Sequence, residues 1–366
     1  MKAVILVGGE GTRLRPLTCN MPKPMVPIVN QPFLQHMLRY LKLHNVDEVV
    51  LAICYLPEVI ESFFGDGSNY DITVSYSVEE EPLGTAGAVK NLEDRLIDTF
   101  LVFNGDIYTD LDLGAMLAFH KSKGSKATLF LTPVDDPSAF GVVETDADGR
   151  VLRFLEKPAP GISNSKWING GVYLLEPEVL EQAPYGEHYM FERGLFPRLL
   201  DMGFPVYGYQ SNPYWLDLGT PHSYMQVHKY LLESQVNDNL WTNNLTDANT
   251  FIHPSSQIQG NVVFGYGCSV GAGAILRGPL VLGDGCSIGQ DTVVTGSVLW
   301  KDVSVGMAVE LNGCIVGDGV YIGDYSSIGD KCILGDNSIV GEGNHLGDGV
   351  ILWPEKSLQS HSLSSR

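Results

Sequence analysis

Basic residues are scarce in this chain: 23 lysines and arginines stand against 43 acidic side chains over 366 residues, a formal charge of −20. A surface with that balance repels polyanions, which argues against nucleic acid or an anionic membrane as partner. Small phosphorylated ligands stay open, because a local cationic pocket or a metal reverses the field where it matters. Long apolar runs are missing too. No stretch approaches the roughly 18 residues of a bilayer-spanning helix, and no small-residue cleavage site follows the short apolar run at the N-terminus. A cytoplasmic protein is expected. Cysteine is sparse, six residues without a C-x-x-C pair, which argues against the common zinc and redox motifs. Hydrophobic residues at 44% and charged residues at 18% describe a folded chain long enough for two domains.

The two halves are written in different periods. Up to about residue 232, apolar β-type runs ("KAVILV", "EVVLAI", "ITVSYS", "FLVFNG", "ATLFLT", "GVYLLE") alternate with helical patterns ("FLQHMLRYLKLH", "LGAMLAFHKSK"). Such alternation predicts an α/β domain, a Rossmann-like mixed or mostly parallel sheet with helices on both faces. A polar stretch over 233–250 reads as a linker. From 251 to 354 an aliphatic or aromatic residue recurs every sixth position, from Ile252, Ile258 and Phe264 to Leu346 and Leu352, with single-residue skips before Leu299 and Val316. That period fits neither a helix nor a hairpin sheet. It predicts a parallel β-helix of about six coils, three hexads to a coil, followed by a short tail over 355–366. Cys268, Cys286, Cys314 and Cys332 share the small inward position, 18 residues apart within each pair. They are expected to pack as small core hydrophobes rather than as disulfides.

The stretch "VILVGGEGTRLRPLTCNMPKPM" carries the chemistry. It ends a strand in glycines but lacks the G-K-[S/T] of a P-loop, and Leu14 occupies the third glycine position of a dinucleotide fingerprint. Arg13, Arg15 and Lys23 follow a loop whose amides can face a phosphate chain, and the prolines beside Lys23 fix its backbone. Asp106 ends "FLVFNGD" at the carboxyl end of a strand, where open α/β sheets bind ligands. With Asp217 of "YWLDLG" it could converge on one hard cation.

"GGEGTRLRPLT" and "PKPMVP", followed in order by "EEEPLGTAGA", "FNGD", "AFGVV", "FLEKP", "INGGVYLL" and "WLDLGTP", resemble the signature of the sugar nucleotidyltransferases, the nucleoside-diphosphate-sugar pyrophosphorylases. With the hexapeptide half, which in this family is a left-handed β-helix, the likeness covers nearly the whole chain and is greatest to members acting on mannose 1-phosphate. It implies transfer of a nucleotidyl group from a nucleoside triphosphate to a sugar 1-phosphate, with release of pyrophosphate. GTP and mannose 1-phosphate are the expected pair, and uridylyl or thymidylyl transfer to glucose 1-phosphate is the alternative. The likeness assigns Arg13 and Lys23 to the triphosphate and Lys157 to the sugar phosphate, with Asp106 and Asp217 as ligands of Mg2+. It assigns Leu6, Gly8, Gly9, Gly11, Thr12, Gly84, Thr85 and Asn104 to substrate binding, and Gly141, Glu156 and Asn169 to the sugar pocket.

In the acidic run Glu79–Glu81, Glu79 is the position expected to read guanine, whose N–H and NH2 edge suits a carboxylate; the other two read as solvated. A bifunctional enzyme with an acyltransferase tail is the rival from another class. Its histidine candidates are His253 and His345, but the coils contain no long inserted loop. The β-helix carries Arg277, Lys301 and Lys331 against ten acidic side chains, which speaks against a second phosphate site. Its end coil and flat faces, with Trp300, Trp353 and Phe264 (for which a place in the core is the alternative), predict a homo-oligomer formed through this half and, secondarily, packing against its own catalytic half, with a catalytic half that keeps some turnover alone.

Overall fold

The apolar runs of the first half build one nine-stranded mixed sheet. In the computed structural model, residues 1–159, 161–234 and 249–363 are described. Besides the short antiparallel pair Pro27–Ile28 and Gln31–Pro32, the strands of this half are β1 (Lys2–Leu6), β2 (Glu48–Ile53), β3 (Thr73–Val78), β4 (Phe100–Asn104), β5 (Ile107–Thr109), β6 (Ala127–Pro133), β7 (Gly141–Thr145), β8 (Val151–Glu156), β9 (Trp167–Leu175), β10 (Val206–Gln210) and β11 (Trp215–Asp217). The order β8-β7-β9-β4-β1-β2-β3 puts β1 between its parallel neighbours β2 and β4. Strand β9 enters antiparallel to β4, and β6 with β10 extends from it. The short pair β5–β11 stands apart from this sheet.

Helix α1 (Phe33–Leu43) forms because Phe33, Leu34, Met37, Leu38 and Leu41 recur on one face; all are buried. Helix α2 (Pro57–Phe64) follows β2, and α3 (Gly84–Lys90) follows β3. Helix α4 (Leu113–Lys123) starts at Asp112, whose carboxylate accepts the Ala115 amide proton at 2.9 Å, and stops at Gly124 in the left-handed conformation.

The hexads form three parallel sheets of seven, six and six short strands. The sixth-position residues fall into three columns in register. One runs Ile252, Val270, Ile288, Val305, Ile322, Val340. The second runs Ile258 through Leu276, Val294, Leu311 and Ile328 to Leu346. The third runs Phe264 through Leu282, Leu299, Val316 and Leu334 to Leu352. Both single-residue skips fall at the corner between the second and third columns, so they shorten a turn and leave the columns aligned. The four cysteines of this half are buried and unlinked, as small core residues. The stack also runs past the expected end at 354: Ser357–Leu358 pairs with Ile339–Val340, so the first residues of the supposed tail belong to the last coil.

The chain divides into two compact units that do not follow the linear order. One holds Met1–Glu10, Pro22–Pro24 and Leu34–Asp217; the other holds Gly11–Met21, Met25–Phe33 and the chain from Leu218 onward. Most of the expected linker, 235–248, lies outside the described residues. Within the second unit, helix α5 (Pro221–Glu233) begins with a Thr220/Ser223 capping box and buries Tyr224, Val227, His228 and Leu231 along one stripe. The Tyr224 hydroxyl donates to the Pro27 carbonyl at 2.6 Å and accepts from the Trp300 indole N–H at 2.9 Å. Trp300 is thus covered from within the same chain, and Phe264 fills the core, the alternative open to it; they are 2% and 1% exposed. Trp353 is half exposed.

Candidate active site

Strands β1 and β4 end side by side, and their loops meet. The Gly105 amide donates to the Leu6 carbonyl at 2.9 Å, and a side chain at Gly105 would stand 2.5 Å from that oxygen. Only glycine permits this approach, and it delivers Asn104 and Asp106 to the strand ends. Asp106 lies in the turn into β5. Because β5 pairs with β11, Asp217 is opposite Ile107, one residue along from Asp106. Lys23, buried and held in a short helical turn between prolines, places its Nζ 2.9 Å from Asp106 Oδ2 and 4.0 Å from Asp217 Oδ1.

This donor set fits a divalent ion. Two carboxylates from separate segments already share one cation, and hard oxygen ligands suit Mg2+. Among the described residues no cluster of three or more His, Cys, Asp or Glu could hold a metal alone. The remaining ligands would be water and substrate oxygens, the usual company of Mg2+.

A cavity of about 280 Å3 opens beside this triad. Leu6, Gly8, Gly9, Lys23, Glu79, Gly84, Thr85, Asn104 and Asp106 all line it. Glu79 is half-buried there while Glu80 and Glu81 are exposed. Its Oε2 accepts the Leu83 amide proton at 2.9 Å, and burial raises its pKa above the ordinary carboxylate value. Asn104 Oδ1 is buried with no hydrogen-bond partner among the described residues, an acceptor suited to a ligand's donor.

The positions that the resemblance assigns to the sugar pocket lie on β7, β8 and β9. Gly141 pairs with Glu156 across the β7–β8 ladder. A Cβ at Gly141 would come within 2.8 Å of the Phe154 ring and 3.0 Å of Glu156 Oε2, so glycine keeps that carboxylate accessible. Lys157 follows at φ 46°, a strained conformation for a lysine, braced by its amide donating to the Phe140 carbonyl. Asn169 donates from Nδ2 to the Tyr173 hydroxyl at 2.7 Å. Gly11, Thr12 and Arg13 fall in the other compact unit. There Gly11 is left-handed before the turn Thr12–Leu14, and the Arg13 guanidinium packs against Gly219, where a Cβ would stand 2.8 Å from it.

Glu192 was not singled out from the sequence. It accepts a hydrogen bond from Thr85 Oγ1 at 3.1 Å and lies 3.5 Å from the Tyr173 hydroxyl, joining the cavity lining to Asn169. Burial raises its pKa, with the charge of Glu156 adding to the effect. The one available signal was a lone acid inside the apolar run "HYMFERGLFPRLL".

Comparison with known proteins matches residues 2–234 to "Nucleotidyl transferase" and residues 242–346 to "EIF2B subunit epsilon LbH domain". The chain is 38% identical over 323 residues to "Mannose-1-phosphate guanylyltransferase" of Mycobacterium tuberculosis, covering 87% of this chain and 80% of that protein. It is 38% identical over 250 residues to "UTP--glucose-1-phosphate uridylyltransferase" of Synechocystis, covering 64% of each. The crystal structure of HddC from Yersinia pseudotuberculosis complexed with GMP-PN matches at 30% identity and TM-score 0.54, covering 62% of this chain and 97% of that one. No helix among the described residues is long and apolar enough to cross a membrane. With most of the chain matched, and with glycine loop, lysine and paired aspartates at the strand ends, the protein belongs to the nucleotidyl transferase family.

Proposed function

We propose that this enzyme forms GDP-mannose and pyrophosphate from GTP and mannose 1-phosphate. The observation that carries the reading is Lys23 set between Asp106 and Asp217 on the wall of a glycine-lined cavity that also holds Glu79. A sugar-phosphate oxygen attacks the α-phosphate in line, and catalysis comes from positioning and charge neutralisation. No covalent intermediate is required. Lys23 is assigned to the triphosphate, and Arg13 takes the same class of role from the motif that contains it. Lys157 orients the attacking phosphate, while Glu156 and Asn169 hold sugar hydroxyls. Asp106 and Asp217 would hold Mg2+, which when bound draws charge from the phosphate oxygens. The guanylyltransferase relative and the GMP-PN complex of HddC support guanine as the base, with Glu79 as its reader.

A second reading is uridylyl or thymidylyl transfer to glucose 1-phosphate. It is favoured by the Synechocystis relative and by the hydrogen bond that already engages Glu79 with Leu83. A turnover panel of five nucleoside triphosphates against mannose 1-phosphate and glucose 1-phosphate decides between them. GTP with mannose 1-phosphate is expected to lead; a more than tenfold advantage for UTP or dTTP with glucose 1-phosphate overturns that choice. We also infer a cytoplasmic homo-oligomer joined through the last coils, where Ile339, Ile351 and Trp353 are exposed. Sedimentation as a monomer at micromolar concentration would refute it.

A further inference from the structure

Four aspartates of the β-helix do the same work. Asp284, Asp318, Asp324 and Asp348 each accept, through Oδ1, a backbone amide proton from the coil before: those of Tyr266, Lys301, Met307 and Asp330, at 2.8–2.9 Å. Asp336 does this as well, accepting from the Asp318 amide at 3.1 Å, and differs in its second oxygen. Oδ2 accepts from Asn20 Nδ2 at 3.2 Å, across 316 residues of sequence, on a side chain only 7% exposed. Asn20 ends the glycine-arginine segment and stands three residues before Lys23 along the chain.

The same segment is held again further along. Asn30 Nδ2 donates to the Leu282 carbonyl at 2.8 Å, the Val29 amide donates to His228 Nε2 at 3.1 Å, and Tyr224 holds Pro27. Inside the segment, Thr18 Oγ1 donates to the Gly11 carbonyl at 2.8 Å, and Leu14 and Leu17 are fully buried. A displacement at Asn20 would therefore act on the stretch back to Gly11 and Arg13.

We propose that Asp336, acting through Asn20, is a positioning residue for the triphosphate-binding segment, so that the β-helix sets the geometry of the glycine-arginine loop. The first 235 residues alone would lack both Asp336 and Leu282. The turnover expected of that fragment should therefore come with a weakened triphosphate affinity.

The test is a swap in the full-length chain. Asn20→Asp sets two carboxylates against each other. Adding Asp336→Asn restores one donor and one acceptor, and leaves an amide oxygen for the Asp318 N–H. N20D is expected to raise KM for the triphosphate about tenfold, the size of one lost hydrogen bond to a charged group, while kcat stays within about threefold. Amide exchange over residues 11–21 should quicken in parallel. The swap should return both to near wild type. Asn30→Gly tolerates the left-handed backbone at that position, φ 62°, and removes the second tie; a smaller rise in KM is expected. Wild-type KM and exchange in N20D, or a swap that fails to recover, overturns the proposal. So does loss of folding in both N20D and the swap. Loss of folding in N20D alone, recovered with wild-type KM in the swap, supports it. The KM arm rests on the proposed nucleotidyl transfer; the exchange arm needs no substrate, so failure of either reading is seen separately.

Discussion

The nine-stranded sheet and the β-helix treat the backbone in opposite ways. In the sheet, parallel strands stop together, and the glycines and polar side chains at their ends line a cavity. In the β-helix, main-chain groups bond to the neighbouring coil, and where turns leave amides over, aspartates collect them. One architecture exports hydrogen-bonding capacity at its strand ends; the other consumes it internally. We accordingly place the proposed chemistry at Asp106, Asp217 and Lys23, whereas Asp284, Asp318, Asp324, Asp336 and Asp348 of the coils serve to close turns.

The sharpest way to break this contrast is at the carboxylate pair. Asp106→Asn should lower kcat by about 10^2–10^3, the usual consequence of removing a group that neutralises developing charge, with an unchanged melting temperature. Undiminished pyrophosphate release would remove Asp106 from the chemistry. The mirror experiment is Leu311→Ala, at an inward position 1% exposed. It should cost about 2–5 kcal/mol in denaturant unfolding and leave turnover per folded molecule unaltered; a loss of turnover without a loss of stability would contradict the division of labour.

A smaller effect is expected at Gly141. An added methyl presses on Phe154 and Glu156, and KM for the sugar phosphate should rise about tenfold, the equivalent of about 1.4 kcal/mol. Equal changes in both substrates' KM would refute the sugar-side assignment. Trp300→Phe removes the bond to Tyr224 and should lower stability by about 1 kcal/mol, read as a shift in the denaturant midpoint.

Acidity gives the finest comparison. Burial raises the folded-state pKa of Glu192 in one unit and of Asp318 and Asp336 in the other. A carboxyl with a raised folded value binds its proton more tightly when folded, so its contribution to stability grows as pH falls from neutrality toward the ordinary range near about 4. Glu192→Gln should diminish that gain, measured as the melting temperature at pH 5 minus that at pH 7. An undiminished gain in the variant would exclude Glu192 as a source.

The coil registers were legible because inward residues must repeat at the spacing of the turns, and Ile252 to Leu352 announce it without help from distant sequence. Leu358 escaped notice because polar neighbours hide its place in the column. The cover of Trp300 was not legible for a physical reason: a large aromatic at a corner looks the same from the sequence whether its cover is another copy or, as here, Tyr224 of the same chain. The carboxylates Asp106 and Asp217 were legible through their strand-end motifs, but Glu192 was not, since its bond to Thr85 spans 107 residues. Nothing local distinguishes Asp336 from Asp318. The difference lies in Asn20, and sequence periodicity carries no information about a contact that distant.

The Asn20–Asp336 bond also has a consequence in time. On a ribosome adding about 5–20 residues per second, the 316 residues between the two take about 15–60 s to emerge. During that interval β1 can pair with β2 and β4, while the segment that carries Arg13 waits for anchors not yet made. A nascent chain stalled before Leu282 would hold a largely formed sheet and the ties at Pro27 and Val29, while Asn20 and Asn30 still lacked their partners. On the proposed reading, the geometry of the Arg13 loop is completed only once the coil that carries Asp336 has been made.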